Sequence, residues 1–149
     1  MSLIRFLVTT VEGETSVFAE ENLPLLDMTE EDVKQIFGEN AYWLALQLRD
    51  ATFRDQQKVL RESAGDDSLL PQKRFLAAVA SWTKQVVTQD AKQDMPVTEE
   101  AFLNLPPSIG NAVHNAILAS WYPNSARTLD FFTKSRQSPN ASAPVSSSP

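Results

Sequence analysis

Cysteine is absent from this chain of 149 residues, and glycine occurs only four times. Without cysteine the protein can form no disulfide bond, no thiolate metal site and no cysteine nucleophile. The glycines are scattered singly, at Gly13, Gly38, Gly65 and Gly110. No glycine-rich loop for phosphate can be assembled from them, which disfavours a nucleotide-binding enzyme. The lack of cysteine fits a reducing, intracellular setting.

Long hydrophobic runs and an excess of positive charge are also missing. No run approaches the ~20 apolar residues that cross a membrane, and the start, MSLIRFLVTT, lacks the apolar core and cleavage site of a signal peptide. The net charge is -6, with a sequence pI near 4.7. This charge opposes non-specific binding to nucleic-acid phosphates. We therefore expect protein partners, and neither nucleic acid nor membrane.

The hydrophobic content of 42% is enough for one modest core. The patterns predict a mainly α fold with a small N-terminal β element. They predict a single compact domain over residues 1–136 and a disordered, Ser/Pro-rich tail over residues 137–149.

Three runs carry strand signals. The runs 3–10 and 15–19 are β-prone and flank Gly13, which predicts a hairpin. Residues 41–49 alternate in the manner of a strand, although their Leu, Ala and Gln content favours a helix. We favour the strand. Residues 20–27 contain a proline between leucines and predict an extended connection that packs its leucines: Leu23, Leu25 and Leu26.

Capping signals mark two helices in the first half of the chain. Thr29 and Asp32 have the spacing of a capping box, and the helix that they open should end at Gly38. Ile36 belongs to the apolar face of this helix. Thr52 opens the next helix in the same way.

Two longer helices are predicted in the second half. Pro71 fits the first turn of one, which extends to Val87. Its apolar residues fall at i, i+4, i+7 and i+11: Phe75, Val79, Trp82 and Val86. After a polar link, Thr98 caps a short helix, and Pro107 opens another. That helix carries an apolar stripe: Ile109, Val113, Ile117 and Trp121. Ser125 should cap a last helix that holds Phe131 and Phe132.

Candidates for chemistry are few. His114 is the only histidine, and local spacing gives it neither an orienting acid nor a nucleophile, so a structural role is favoured over catalysis. The acidic groups lack the alternating ligand pattern of a calcium loop and are better read as caps and solvated faces. The three tryptophans each lie in a segment with its own apolar periodicity, which favours the core. We predict no catalytic, cofactor-binding or metal-binding residue.

The order of elements carries a resemblance. A predicted strand leads into LRDATFRDQQKVL, then come a predicted helix that ends in AVASW, a polar link, and MPVTEEAFLNLPPSIGNAVHNAIL. This arrangement, between Tyr42 and Leu118, resembles the tail assembly chaperones of long-tailed, siphovirus-type bacteriophages. The quoted motifs include no catalytic signature. The N-terminal hairpin and the Ser/Pro-rich tail match nothing specific in that family.

The resemblance implies a non-enzymatic protein that binds the tape measure protein and helps to recruit tail tube subunits. It would act in the cytoplasm of the infected bacterial host, would be absent from the mature virion, and could form homo-oligomers. Within this reading, a groove on the helices 71–87 and 107–121 would bind the helical client. The candidate contacts are Phe131, Phe132, Ile109, Val113, Ile117 and Trp121.

Three alternatives stay open. The chain could be a structural virion component, such as a head-tail connector or a minor tail protein. It could also be a cellular helical protein-binding module. A small enzyme would have to assemble its residues from distant segments, with His114 as the obvious member.

Overall fold

The structure is a computed structural model, and it describes residues 1–123. Its centre is a five-stranded antiparallel sheet in the order β2-β1-β3-β4-β5. The strands are β1 Ser2–Val11, β2 Glu14–Ala19, β3 Ala41–Leu48, β4 Val79–Val86 and β5 Gln93–Met95. The fold is therefore α+β. The prediction of a mainly α fold with a small β element is wrong, because three further strands extend the N-terminal hairpin into a full sheet.

Five α-helices and three short 3-10 helices complete the described residues. The α-helices are α1 Glu30–Phe37, α2 Phe53–Glu62, α3 Leu70–Ala78, α4 Glu99–Leu103 and α5 Pro107–Trp121. The 3-10 helices are Glu20–Leu26, Gly38–Asn40 and Asp67–Leu69.

The chain divides into two compact units, residues 1–117 and 118–149, and the boundary falls within α5. All five strands and the first four helices belong to the first unit. The predicted domain end at residue 136, the tail 137–149 and the helix after Ser125 lie outside the described residues.

The predicted N-terminal hairpin is confirmed. β1 and β2 pair antiparallel up to Val11 and Glu14, which leaves a two-residue loop. Both loop residues have positive φ, 53° at Glu12 and 82° at Gly13. Positive φ at both loop residues is typical of a type I′ turn, whose twist matches that of the flanking strands. Glycine adopts positive φ without strain.

The strand predicted at residues 41–49 is also confirmed, as β3. Its alternating pattern outweighs the helix propensity of its residues because β3 is the central strand, paired with β1 on one side and β4 on the other. Leu44, Leu46 and Leu48 are buried on one face of the sheet. The other face carries Trp43, Ala45 and Gln47.

The long helix predicted over residues 71–87 is wrong in its second half. The helix α3 ends at Ala78, and Val79 begins β4 without an intervening loop. The register between β3 and β4 shifts beside Ala80, because Leu48 pairs with Val79 whereas Gln47 pairs with Ser81. This β-bulge adds one residue. It puts Val79 and Trp82 on the same face three positions apart, and thereby imitates helical spacing.

The connection predicted as extended at residues 20–27 is a 3-10 helix instead. Asp27 ends it in the left-handed conformation, at φ 54°, and the backbone N–H of Met28 donates to the carbonyl of Leu23. Leu23 is buried as expected, but Leu25 and Leu26 are exposed. The prediction that all three leucines pack is therefore wrong for two of them.

The predicted helix starts are confirmed at Thr29, Thr52 and Thr98, whose hydroxyls each accept a backbone N–H from the third residue on. Thr29 and Thr52 form complete capping boxes, in which an aspartate carboxylate accepts the threonine N–H. Satisfying these otherwise unpaired N–H groups is worth about 1 kcal/mol per cap. The hydrogen bonds from Thr52 also lower the pKa of Asp55.

The first unit has one apolar layer on each face of the sheet. On the helical face, the Phe75 ring of α3 meets Trp82 of β4 edge-on at 5.0 Å and stacks on Phe102 of α4 at 4.9 Å. The Trp82 indole N–H donates to the carbonyl of Pro96 at 2.8 Å. The Lys73 ammonium, 2.8 Å from the carboxylate of Glu99, ties α3 to α4 a second time.

The opposite face is covered by the 3-10 helix Glu20–Leu26 and α1, which we call the N-terminal cap. The buried cluster beneath the cap joins cap residues to two strands, β1 and β3, and to the residue after β4: Leu7, Leu23, Val33, Ala41, Trp43 and Val87. Phe18, Met28 and Phe37 pack against this cluster. Ile36 was predicted on the apolar face of α1, but it is 65% exposed. The remaining half of this sheet face lies beyond the cap.

Candidate functional site

The predicted contact residues of α5 in the first unit are part of the core. Ile109 is buried, and so are Val113 and Ile117 one and two turns further on. Their spacing is helical, as expected, but the stripe faces inward. In this conformation the three side chains offer no surface to a partner. Their role in partner binding stays a prediction.

The other predicted contacts lie in the second unit. Trp121 is buried, and its ring meets that of Tyr122 edge-on, with 6.5 Å between centroids. Phe131 and Phe132 lie outside the described residues. Trp43 and Trp82, read from the sequence as core residues, are confirmed as such.

A groove of about 310 Å³ lies on the half of the sheet that the N-terminal cap leaves open. We call it the sheet groove. Two complete cross-strand rows and part of a third line it: Leu3, Gln47 and Ser81; Arg5, Ala45 and Thr83; and Trp43 with Gln85. Leu7, the β1 neighbour of Trp43, is buried under the cap instead. Trp82 and the residue before β5, Lys92, complete the lining.

Arg5 closes the end of the sheet groove nearest the cap. Its guanidinium stacks on the Trp43 ring, 4.1 Å from the centroid. It also pairs with Glu20 of the cap and lies 3.7 Å from the carboxylate of Glu30. Two carboxylates thus compensate this cation. The groove is consequently not an anion site built on Arg5, and the arginine instead holds the cap against the sheet.

The rest of the groove combines short polar and apolar side chains. Ser81 is exposed, and Gln47 and Thr83 are half-buried beside Ala45. Leu3, at the outer end, is 62% exposed. The Gln85 amide donates to the carbonyl of Gln89 at 2.9 Å, which fixes the loop that leads to β5. Such a surface can bury apolar side chains of a partner while its hydroxyls and amides bind polar groups.

His114 lies on α5 and is half-buried, and it is not among the residues that line the sheet groove. Its Nε2 is 3.2 Å from Nη1 of Arg74 on α3. Because arginine has only donors, the unprotonated nitrogen must accept this hydrogen bond. Burial, and then the Arg74 charge, lower the pKa of His114. The neighbour given by the structure is a cation, not the carboxylate that orients a catalytic histidine.

Within residues 1–123, no three acidic or histidine side chains converge as a metal site would require. Over the same residues, no helix is long and apolar enough to cross a membrane.

Sequence reasoning missed the residues of the sheet groove. Ala45 and Gln47 were available, since the strand at 41–49 was recognised and these residues form its less apolar face. Ser81 and Thr83 were hidden by the helical reading of residues 71–87. The signal for β4 was its β-branched content, VASWTKQVVT.

No protein family, curated protein or solved structure compared with the chain shows a significant match.

Proposed function

We propose that this protein is a non-catalytic tail assembly chaperone of a long-tailed bacteriophage. In this proposal it binds helical segments of the tape measure protein, keeps them soluble, and helps to bring tail tube subunits to them. It acts in the cytoplasm of the infected bacterium and is absent from the finished virion. The resemblance between Tyr42 and Leu118 supports the family, and the sheet groove supports the binding.

The observation that carries the binding part is the half-covered sheet. An antiparallel sheet can remain solvated on one face, but here the open half is concave, and apolar side chains such as Leu3 and Ala45 alternate in it with polar ones. Its volume is at the lower end of the ~300–1,000 Å³ of small-molecule pockets. A shallow groove of this size fits a few side chains of an amphipathic helix. This replaces the groove expected on the helices, whose apolar stripe is buried.

Gene order is the first test of the phage role. We expect an overlapping reading frame, reachable by a one-base slip, near the end of this gene, followed by a very long gene for a helical protein. Unrelated cellular genes in that place would contradict the role and favour a cellular binding module. Mass spectrometry of purified particles separates the chaperone from the virion component, since only the latter remains in the particle.

Binding through the groove is tested with fragments of the tape measure protein encoded downstream. Ser81→Arg places a long charged side chain in the groove at an exposed strand position. We expect it to weaken fragment binding about tenfold or more, because the long charged side chain occupies space in the groove that the partner's side chains would fill. Calorimetric titration measures the effect, and circular dichroism verifies the fold.

Ser16→Arg is the matched control, because Ser16 is an exposed strand serine on β2 and lies outside the groove. Equal affinity of the two variants would exclude the groove as the binding site. Failure of every fragment to bind the wild-type chain would exclude this client.

A further inference from the structure

Charge is unevenly distributed over the chain. Residues 1–48 contain nine acidic and only two basic side chains. Six of the acidic ones fall between Glu20 and Asp32, in or beside the two helices of the N-terminal cap, whose one basic residue is Lys34. By contrast, α2 carries three basic side chains and two acidic ones, Asp55 and Glu62, within ten residues, and its net charge is therefore +1. The two surfaces have opposite local charge although the chain as a whole is acidic.

The outward side of α2 combines this positive charge with exposed apolar groups. Val59 anchors the helix on its buried side. Phe53 and Leu60 are 71% and 56% exposed, and two helical turns separate them on one side of α2. Arg54, Lys58 and Arg61 run beside them at intervals of four and three residues. We call these five residues the basic face of α2.

The N-terminal cap has the complementary composition. Leu25, Leu26 and Ile36 are 82%, 51% and 65% exposed. Exposed carboxylates accompany them on or between the same two short helices: Glu21, Asp27, Glu30 and Glu31. Single exposed apolar residues are ordinary. Here, however, two separate groups of them occur, and each is accompanied by charge of one sign.

The two surfaces cannot meet within one copy of the chain. The cap packs on one face of the sheet, through Leu23 and Val33. The helix α2 packs beside α3, whose Phe75 lies against Trp82 on the opposite face. In addition, α1 precedes β3 and α2 follows it, and eight strand residues at ~3.3 Å each separate the two ends.

We propose that the basic face of α2 binds the N-terminal cap of a second copy of this chain. The apolar side chains of the two surfaces would then bury each other, while carboxylates meet arginine and lysine at the rim. Because the surfaces lie on opposite faces of the sheet, the contact is head-to-tail. A pair of copies keeps one surface of each kind free, so assembly continues into chains or closes into a ring.

A charge-swap experiment on the full chain tests this pairing. Variant one, Lys58→Glu with Arg61→Glu, makes the α2 face acidic. Variant two, Glu21→Lys with Glu31→Lys, makes the cap basic. Sedimentation velocity over about 10 µM to 1 mM, a range suited to small polar interfaces, should show wild-type mass rising with concentration and falling with salt.

We expect each variant alone to dissociate about tenfold more readily, since two rim pairs become repulsive. An equimolar mixture of the two variants should recover the wild-type mass, because every contact is again between opposite charges. Variant two also lowers the net negative charge. If repulsion between whole negatively charged chains governed association, variant two would associate more strongly than the wild type. The proposed pairing predicts that it associates more weakly.

The matched control for variant two is Glu100→Lys with Glu14→Lys. Glu100 occupies the same position in the first turn of α4 as Glu31 does in α1, so the cost to the helix dipole is equal. This control should associate at least as strongly as the wild type. A wild-type chain that stays monomeric, variants that associate normally, or a mixture that fails to recover would each overturn the proposal. None of these outcomes depends on the tape measure fragments.

Discussion

The two faces of the sheet are covered to different extents. On the helical face, an aromatic layer joins α3, α4 and β4 through rings about 5 Å apart, and further along β4 the Lys84 ammonium lies over the Tyr42 ring. The opposite face is apolar only beneath the N-terminal cap and ends in the sheet groove. The helical face therefore contributes mainly to stability. The other divides along the same strands into a stabilising half and a half open for binding.

The largest expected effect is at the helical face. Phe75→Ala should lower the free energy of unfolding by about 3–5 kcal/mol, because a fully buried ring that contacts two others is replaced by a cavity. Urea denaturation measures the loss. Phe53→Ala, at an exposed phenylalanine of the neighbouring helix, is the control and should stay within about 0.5 kcal/mol. Equal losses would remove the distinction between core and surface on which the comparison depends.

The second prediction compares the covered half of the opposite face with its open half. Leu7 and Leu3 lie on the same strand and point to the same face, but Leu7 is buried under the cap. Leu7→Ala should therefore cost about 2–4 kcal/mol of unfolding free energy, and Leu3→Ala less than about 0.5 kcal/mol. The same denaturation measurement applies. A large loss at Leu3 would mean that the groove region is core as well.

The smallest effect concerns pH and the helical layer. Because the pKa of His114 is lowered in the folded protein, the unfolded chain binds its proton more tightly. Stability should thus be unaffected well above pH ~6.5 and should fall as the pH drops through that value. His114→Asn removes this term, which we expect to be below about 1 kcal/mol since the ring is half-buried.

Thermal denaturation at pH values on either side of the histidine pKa gives the comparison between wild type and His114→Asn. If the wild type and His114→Asn lose the same stability as the pH falls, protonation of His114 does not contribute to the loss. That result would contradict the lowered pKa of His114 in the folded protein.

Much of the fold was predictable where local signals agree with tertiary context. The caps at Thr29, Thr52 and Thr98 depend on spacing alone, and all three are confirmed. The Gly13 turn likewise depends on local backbone freedom. The α5 stripe was recognised as a pattern, but a pattern does not tell whether an apolar stripe meets its own core or a partner.

The main error arises where one extra residue interrupts the alternation of side chains in a strand, β4. At Ala80 the bulge puts Val79 and Trp82 three positions apart on one face, and Val86 follows four positions later on that face. The same spacing occurs on a helix, so periodicity could not separate the two structures there. With β4 concealed, neither the five-stranded sheet nor the groove between β3 and β4 could be predicted. The exposure of Leu25 and Leu26 depends on a 3-10 turn that the single proline did not indicate.

The strand order has a consequence for synthesis on the ribosome. The first strand pairs with β3, yet β2 and the whole cap lie between them in sequence. At ~5–20 residues per second, Leu7 would wait roughly 2–7 s for its partner Trp43 to be polymerised. A two-stranded hairpin is only marginally stable alone, and the helices that cover its other face are made later still. The nascent chain thus passes through a stage in which an apolar hairpin is exposed on both sides.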